Sequence, residues 1–271
     1  MSKLIAVISP AKLLDDKTHY PEIKCTQPAF LKEAETLVSK LKKLKGKELS
    51  ELMDISSKLG EENKVRYTKW SLPFTHANSH PSILMFKGEV YRGMKAETFN
   101  KKQLEVAQEK LRILSGLYGL LRPMDLVMPY RLMMGTPFSP NAKTKSLYAF
   151  WGDKISKELN KIAPKSSTIV NLASSEYFKA VDPKTLSAKV ITCEFRQKKG
   201  NKFEMIGTYA KLARGMMARY IIEHDIDKVE DIKSFDTEKY AYNEALSTKD
   251  LFVFTRDQPP LLNPKRSPAK K

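Results

Sequence analysis

The sequence predicts an α/β protein in which helices flank a mixed sheet that includes one antiparallel β-hairpin. Three observations carry this reading. Apolar runs of strand length, such as Leu4 to Ile8 and Ile169 to Ala173, alternate with longer segments of helical period. Lys189 to Arg196 and Lys202 to Tyr209 flank KKGN, the punctuation of a hairpin. No repeat or linker divides the body, so residues 1–256 read as a single α/β domain and the proline-rich, basic 257–271 as a disordered tail.

Taken in order, Leu4 to Ile8 is a buried strand ending at Ser9-Pro10. Leu31, Ala34, Leu37, Val38, Leu41 and Leu44 recur at helical spacing, as do Leu49, Leu52, Met53, Ile55 and Leu59, with Gly60 as the stop. Ile83 to Phe86 reads as a second strand. Asn100 and Gln103 form a capping box, with Phe99 and Leu104 as its staple, which predicts a helix over 101–111. Ile113 to Leu121 is a strand entering a loop, and Leu147 to Ile162 is one helix ended by Pro164. Tyr209, Leu212, Ala213, Met216, Met217 and Tyr220 share a helical face, with Lys211 and Arg214 opposite and Arg219 on the flank. Leu251 to Thr255 is the last strand.

Composition narrows the function. Apolar residues make up 41% of 271 positions, enough for a sizeable core, yet no run nears the ~20 residues of a membrane span. The N-terminal apolar stretch is too short for a signal peptide, and Cys25 and Cys193 have no metal-ligand or disulfide pattern; the chain reads as cytoplasmic. Net charge is +17, of which the tail contributes +3, leaving +14 on the body. Such a field captures polyanions.

Three loops that follow apolar runs, in IAVISPAK, ILMFKGEVY and IVNLASSEYFK, carry polar groups. Ligands gather beyond the carboxyl ends of strands in open α/β sheets, so Ser9, Lys12, Lys87, Asn171, Ser174 and Glu176 are expected to share one cleft. Phosphate-loop and dinucleotide fingerprints are absent, and Ser9-Pro-Ala-Lys12 matches SxxK without its usual partners. His76 and His80 lie four apart in a loop-like segment without a nearby carboxylate, so no metal site and no cofactor is expected.

Residues 112–135, RILSGLYGLLRPMDLVMPYRLMMG, mix core residues with Arg112, Arg122 and Arg131 and with Tyr118 and Tyr130. Two readings fit them. The guanidinium groups could grip phosphates while tyrosine rings stack on bases, or the arginines could pair with carboxylates and hold an irregular buried loop.

Several segments together resemble the YaaA family of bacterial peroxide-stress proteins: ISPAK at 8–12, FKGEVY at 86–91, LSGLYGLLRPMDL from 114 with PYRL through 132, LYAFWGD at 147–153, NLASSEYFKAV at 171–181 and YAKLARGMMAR at 209–219. One position departs, since Met133 stands where the family usually has glutamate. The resemblance implies a cytoplasmic protein of the peroxide response that limits iron-driven damage. It further implies DNA binding through a basic cleft on a family-specific α/β fold with a helix-hairpin-helix-like element. That element suits Gly88 to Lys110, with Val90 to Gly93 ending a first helix and Asn100 capping the second.

The expected partner is therefore DNA, double-stranded or structured, bound by a monomer without a membrane. The residues expected to meet it are Lys12, Lys87, Arg112, Arg122, Tyr130, Arg131, Lys179, Lys211, Arg214 and Arg219, beside the polar Ser9, Asn171, Ser174 and Glu176. The alternative is an enzyme acting on a nucleotide or nucleic-acid base in the same cleft, with a lysine and a carboxylate as acid and base. An iron-handling role is a third reading, thinly supplied with soft ligands.

Overall fold

The computed structural model describes residues 3–17, 24–141 and 144–257, so the expected tail beyond Asp257 lies outside the described residues. The central sheet contains β1 (Leu4–Ile8), β2 (Leu111–Ser115), β3 (Gly119–Leu121), β4 (Thr168–Leu172), β5 (Lys189–Lys199), β6 (Lys202–Glu204), β7 (Ala241–Tyr242) and β8 (Leu251–Asp257). Its order is β7-β8-β5-β4-β1-β2-β3, with β6 folded back on β5. The five inner strands run parallel, and the edges β3, β7 and β6 are antiparallel to their neighbours. All five residues of β1 and of β2 are buried, and β4 is buried from Ile169 on. Parallel strands covered on both faces read as unbroken apolar runs, which is why LIAVI and IVNL were legible as strands. The mixed α/β sheet with its hairpin is as expected.

Helices α1 (Leu31–Leu41), α2 (Gly46–Met53), α3 (Ser57–Lys69), α4 (Glu89–Met94), α5 (Lys101–Lys110), α6 (Leu147–Trp151), α7 (Lys154–Ile162), α8 (Ser175–Phe178) and α9 (Gly207–Glu223) surround the sheet. The capping box of α5 is present: Asn100 Oδ1 accepts from Gln103 N at 2.9 Å, and Gln103 Oε1 accepts from Asn100 N at 2.9 Å.

Four local expectations are corrected. Ile83 to Phe86 is not a sheet strand: Ser82–Met85 is a helical turn, and Phe86–Lys87 pairs only with Leu13–Leu14, outside the central sheet. A buried apolar run this short has no period that separates turn from strand. Gly60 does not stop a helix but lies inside α3, where an added Cβ would sit 2.0 Å from Ser50 Oγ; the break falls instead at Asp54, with φ 50°, and the N-cap Ser56. The single helix expected over 147–162 is two, divided at Gly152 with φ 47°. The second hairpin strand stops at Glu204, because Gly207 already begins α9.

The contact that positions the site is the crossing of α4 and α9. A Cβ at Gly93 would lie 2.1 Å from Leu212 O, and one at Gly215 would lie 1.8 Å from Val90 O. Each helix thus presents a glycine to the other's backbone, closer than any side chain allows. Gly215→Ala is expected to lower stability by about 3 kcal/mol, through overpacking against backbone that cannot yield. Gly207→Ala, whose Cβ meets nothing within 4 Å, should be near neutral. Chemical denaturation of the two variants checks this; equal stabilities would show that the crossing is not tight.

Candidate nucleic-acid interface

β1 and β4 are parallel neighbours with Ile8 opposite Leu172, so their following residues emerge side by side. Ser9 Oγ accepts from Ser174 N at 2.9 Å and donates to Ser174 Oγ at 3.3 Å. Tyr91 Oη donates to Ser9 O at 3.1 Å, tying α4 to the same point. Around this junction lies a cleft of about 530 Å³. Its walls are Ser9 to Leu13 after β1, Lys87 to Tyr91 entering α4, Ser174 to Tyr177 after β4, Lys211 and Arg214 of α9, and Met133. Glu176 is anchored by accepting from Gly135 N at 3.0 Å.

The cleft's charges divide into partnered and unpartnered. Lys87 faces Asp15 at 3.6 Å, and Glu89 faces Arg92 at 3.1 Å. Lys12 and Lys211 are exposed and make no hydrogen bond or ion pair among the described residues. Arg214 is half-buried, and its Nε is buried without an acceptor. Desolvation lowers its guanidinium below the ordinary arginine range, opposed chiefly by the Glu194 carboxylate. Burial raises the Tyr91 and Tyr177 hydroxyls well above the usual range, so both stay protonated.

Ser9, Lys12, Lys87, Ser174, Glu176, Lys211 and Arg214 therefore meet in one cleft. The other candidates lie elsewhere. Asn171 is buried, accepting from Ala173 N at 3.0 Å and donating to Thr192 Oγ1 at 3.3 Å. Arg112 is buried and donates to Gln108 O at 2.8 Å and Leu111 O at 2.6 Å, closing the end of α5; desolvation, foremost, brings its guanidinium down to about 10. Arg122 holds Asp125 at 3.0 Å and Gln27 O at 2.9 Å. Tyr130 is buried, hydrogen-bonded to Ser115 at 2.6 Å and set edge-on to Tyr118 and Phe86, so its ring has no face open for a base.

Arg131 is half-buried with Nε unpartnered, and its carbonyl accepts from Tyr67 at 2.5 Å. Lys179 is exposed, 5.1 Å over the Tyr148 ring. Arg219 binds Met94 O at 3.0 Å, Thr98 Oγ1 at 2.8 Å and Glu223 at 2.7 Å, pinning α9 to the turn after α4.

Most of residues 112–135 is thus scaffold, and only Met133 reaches the cleft. Sequence reasoning missed Leu13, Glu89 and Tyr91 as cleft residues, although each adjoins or lies near a residue it found. Met133, noticed as a departure from the family pattern, was not placed in any site.

Fold and site together define an α/β protein whose parallel strands open onto a cation-lined cleft. Residues 4–246 match the family model described as peroxide stress protein YaaA, and the chain belongs to that family. Among its relatives are UPF0246 proteins of Saccharophagus degradans, 49% identical over 257 residues, and Cellvibrio japonicus, 47% identical over 258; each alignment covers 94% of this chain and 100% of the relative. A UPF0246 protein of Neisseria meningitidis is 46% identical over 254 residues, covering 93% of this chain and 98% of its own. No helix among the described residues is long and apolar enough to cross a membrane.

Arg112→Ala leaves buried carbonyls without a donor, and should cost about 2 kcal/mol of stability. Duplex affinity, measured on the folded fraction, should not change. A variant of parental stability that binds DNA more weakly would return Arg112 to the interface.

Proposed function

We propose that this protein is a cytoplasmic, monomeric DNA-binding protein of the peroxide response. It limits iron-driven oxidative damage and holds double-stranded or structured DNA in its basic cleft without strong sequence preference. The observation that carries this is the set of unpartnered cations, Lys12, Lys211 and Arg214, gathered in one cleft on a chain of net charge +17. A buried N–H without an acceptor is costly, and the planar guanidinium fork of Arg214 matches a phosphate. By contrast, Arg112, Arg122 and Arg219 are already engaged inside the fold.

The surface extends beyond the cleft along Gly88 to Lys110. There α4, a 3₁₀ turn at Ala96–Thr98 and α5 follow one another, with Lys95, Lys101 and Lys102 exposed. We assign this segment the role of a helix-hairpin-helix-like element, contacting phosphates without reading bases. The family supports the peroxide context, and charge and geometry support the DNA contact. The enzymatic alternative has less behind it, since no hydrogen bond joins Ser9 or Ser174 to Lys12 or to the Glu176 carboxylate among the described residues.

Affinity for duplex DNA should fall by about 0.9 log units per decade of salt for each phosphate neutralised. Replacing Lys211 and Arg214 together by alanine should weaken binding alike on unrelated sequences and reduce that slope by roughly 2. Stability should change by only about 0.5 kcal/mol, because neither side chain makes a hydrogen bond or ion pair among the described residues. Fluorescence anisotropy over a salt series measures both quantities. A flat salt response would defeat the proposal, and early melting of the double variant would make these cations structural.

A further inference from the structure

We propose that the cleft is a pocket for a single nucleotide lifted out of the DNA stack, with Arg214 and Lys211 holding its phosphate and an apolar wall receiving its base. This rests on the DNA-binding reading and adds a defined ligand to it.

Size is the first argument. The cleft offers about 530 Å³ between four chain segments and Met133, within the roughly 300–1,000 Å³ of small-molecule sites.

The lining is the second argument, because it has two chemistries. Lys12, Lys211 and Arg214 supply positive charge without internal partners. Ala11, Leu13, Val90 and Met133 supply an apolar surface. Leu13 is 65% exposed in spite of its apolar side chain. An anion alone has no use for such a wall, while a base has a flat, weakly hydrated face to cover.

Arg214 also contributes an orphan donor. The residue lines the cleft and its guanidinium makes no hydrogen bond or ion pair among the described residues, so a phosphate there would supply the acceptors it lacks. One oxygen of Glu176 is held by Gly135 N; the other is left to accept from an amino group on a base edge. Extruding a nucleotide costs a few kcal/mol in a paired duplex and least where the base is already unpaired. The site therefore favours DNA with unpaired positions.

The test is titration calorimetry of the full-length protein with deoxyadenosine 5′-monophosphate, inorganic phosphate and deoxyadenosine. The nucleotide should bind at least about tenfold more tightly than either fragment. Arg214→Ala should lose about tenfold of that affinity. Met133→Trp, which fills the apolar wall and removes no charge, should lose as much. Equal affinity for phosphate and nucleotide would reduce the site to an anion site and overturn the proposal. So would nucleotide binding indifferent to Met133→Trp. Duplex binding without nucleotide binding would overturn the pocket and spare the DNA-binding reading. Nucleotide binding without duplex binding would overturn that reading and, with it, the strand-borne ligand.

Discussion

Backbone contact between α4 and α9 is the constraint on which the cleft depends. Gly93 beneath Leu212 O and Gly215 beneath Val90 O let the two helices touch without side chains between them. That closeness brings Lys87 to Tyr91 together with Lys211 and Arg214 in one cleft with Ser9 and Ser174. Arg219 secures the arrangement from α9 through the carbonyl of Met94 and the hydroxyl of Thr98. A bulkier residue at either glycine would part the walls, even though neither glycine carries any chemistry.

The cationic residues fall into two physical classes. Arg112 and Arg122 donate to carbonyls or a carboxylate of their own chain, so their charge stabilises the fold and is withdrawn from solution. Lys12 and Lys211 face solvent without partners among the described residues, and Arg214 carries a donor that these leave unanswered. The second class has interaction energy still available to an incoming anion. Net charge brings polyanions near the protein, whereas these unanswered donors decide where they settle.

Much of this was legible in the sequence where the signal was local or periodic. The capping box at Asn100 and Gln103 needs only four neighbouring residues, and the buried runs of β1 and β4 need only their own apolarity. Convergence of Ser9, Lys12, Ser174 and Glu176 followed from the rule that ligands gather beyond parallel strand ends. Side-chain partners were not legible, because they are tertiary. Nothing near Arg112 in the sequence says that it turns back onto Gln108 O, or that Tyr130 lies edge-on to Tyr118 rather than open to a base. ILMF misled for the opposite reason: it is buried throughout, and uniform burial erases the period that separates a helical turn from a strand.

The central claim, that DNA occupies this cleft, is most directly tested by hydrogen–deuterium exchange of the protein with and without duplex DNA. Slower exchange is expected in Ser9 to Leu13 beyond β1, in Lys87 to Tyr91 entering α4, and around Ser174 to Tyr177. Exchange in the segment around Arg112 and Arg122 should be unchanged. Protection confined to that segment, or to the α1–α3 face, would place the DNA elsewhere and contradict the account.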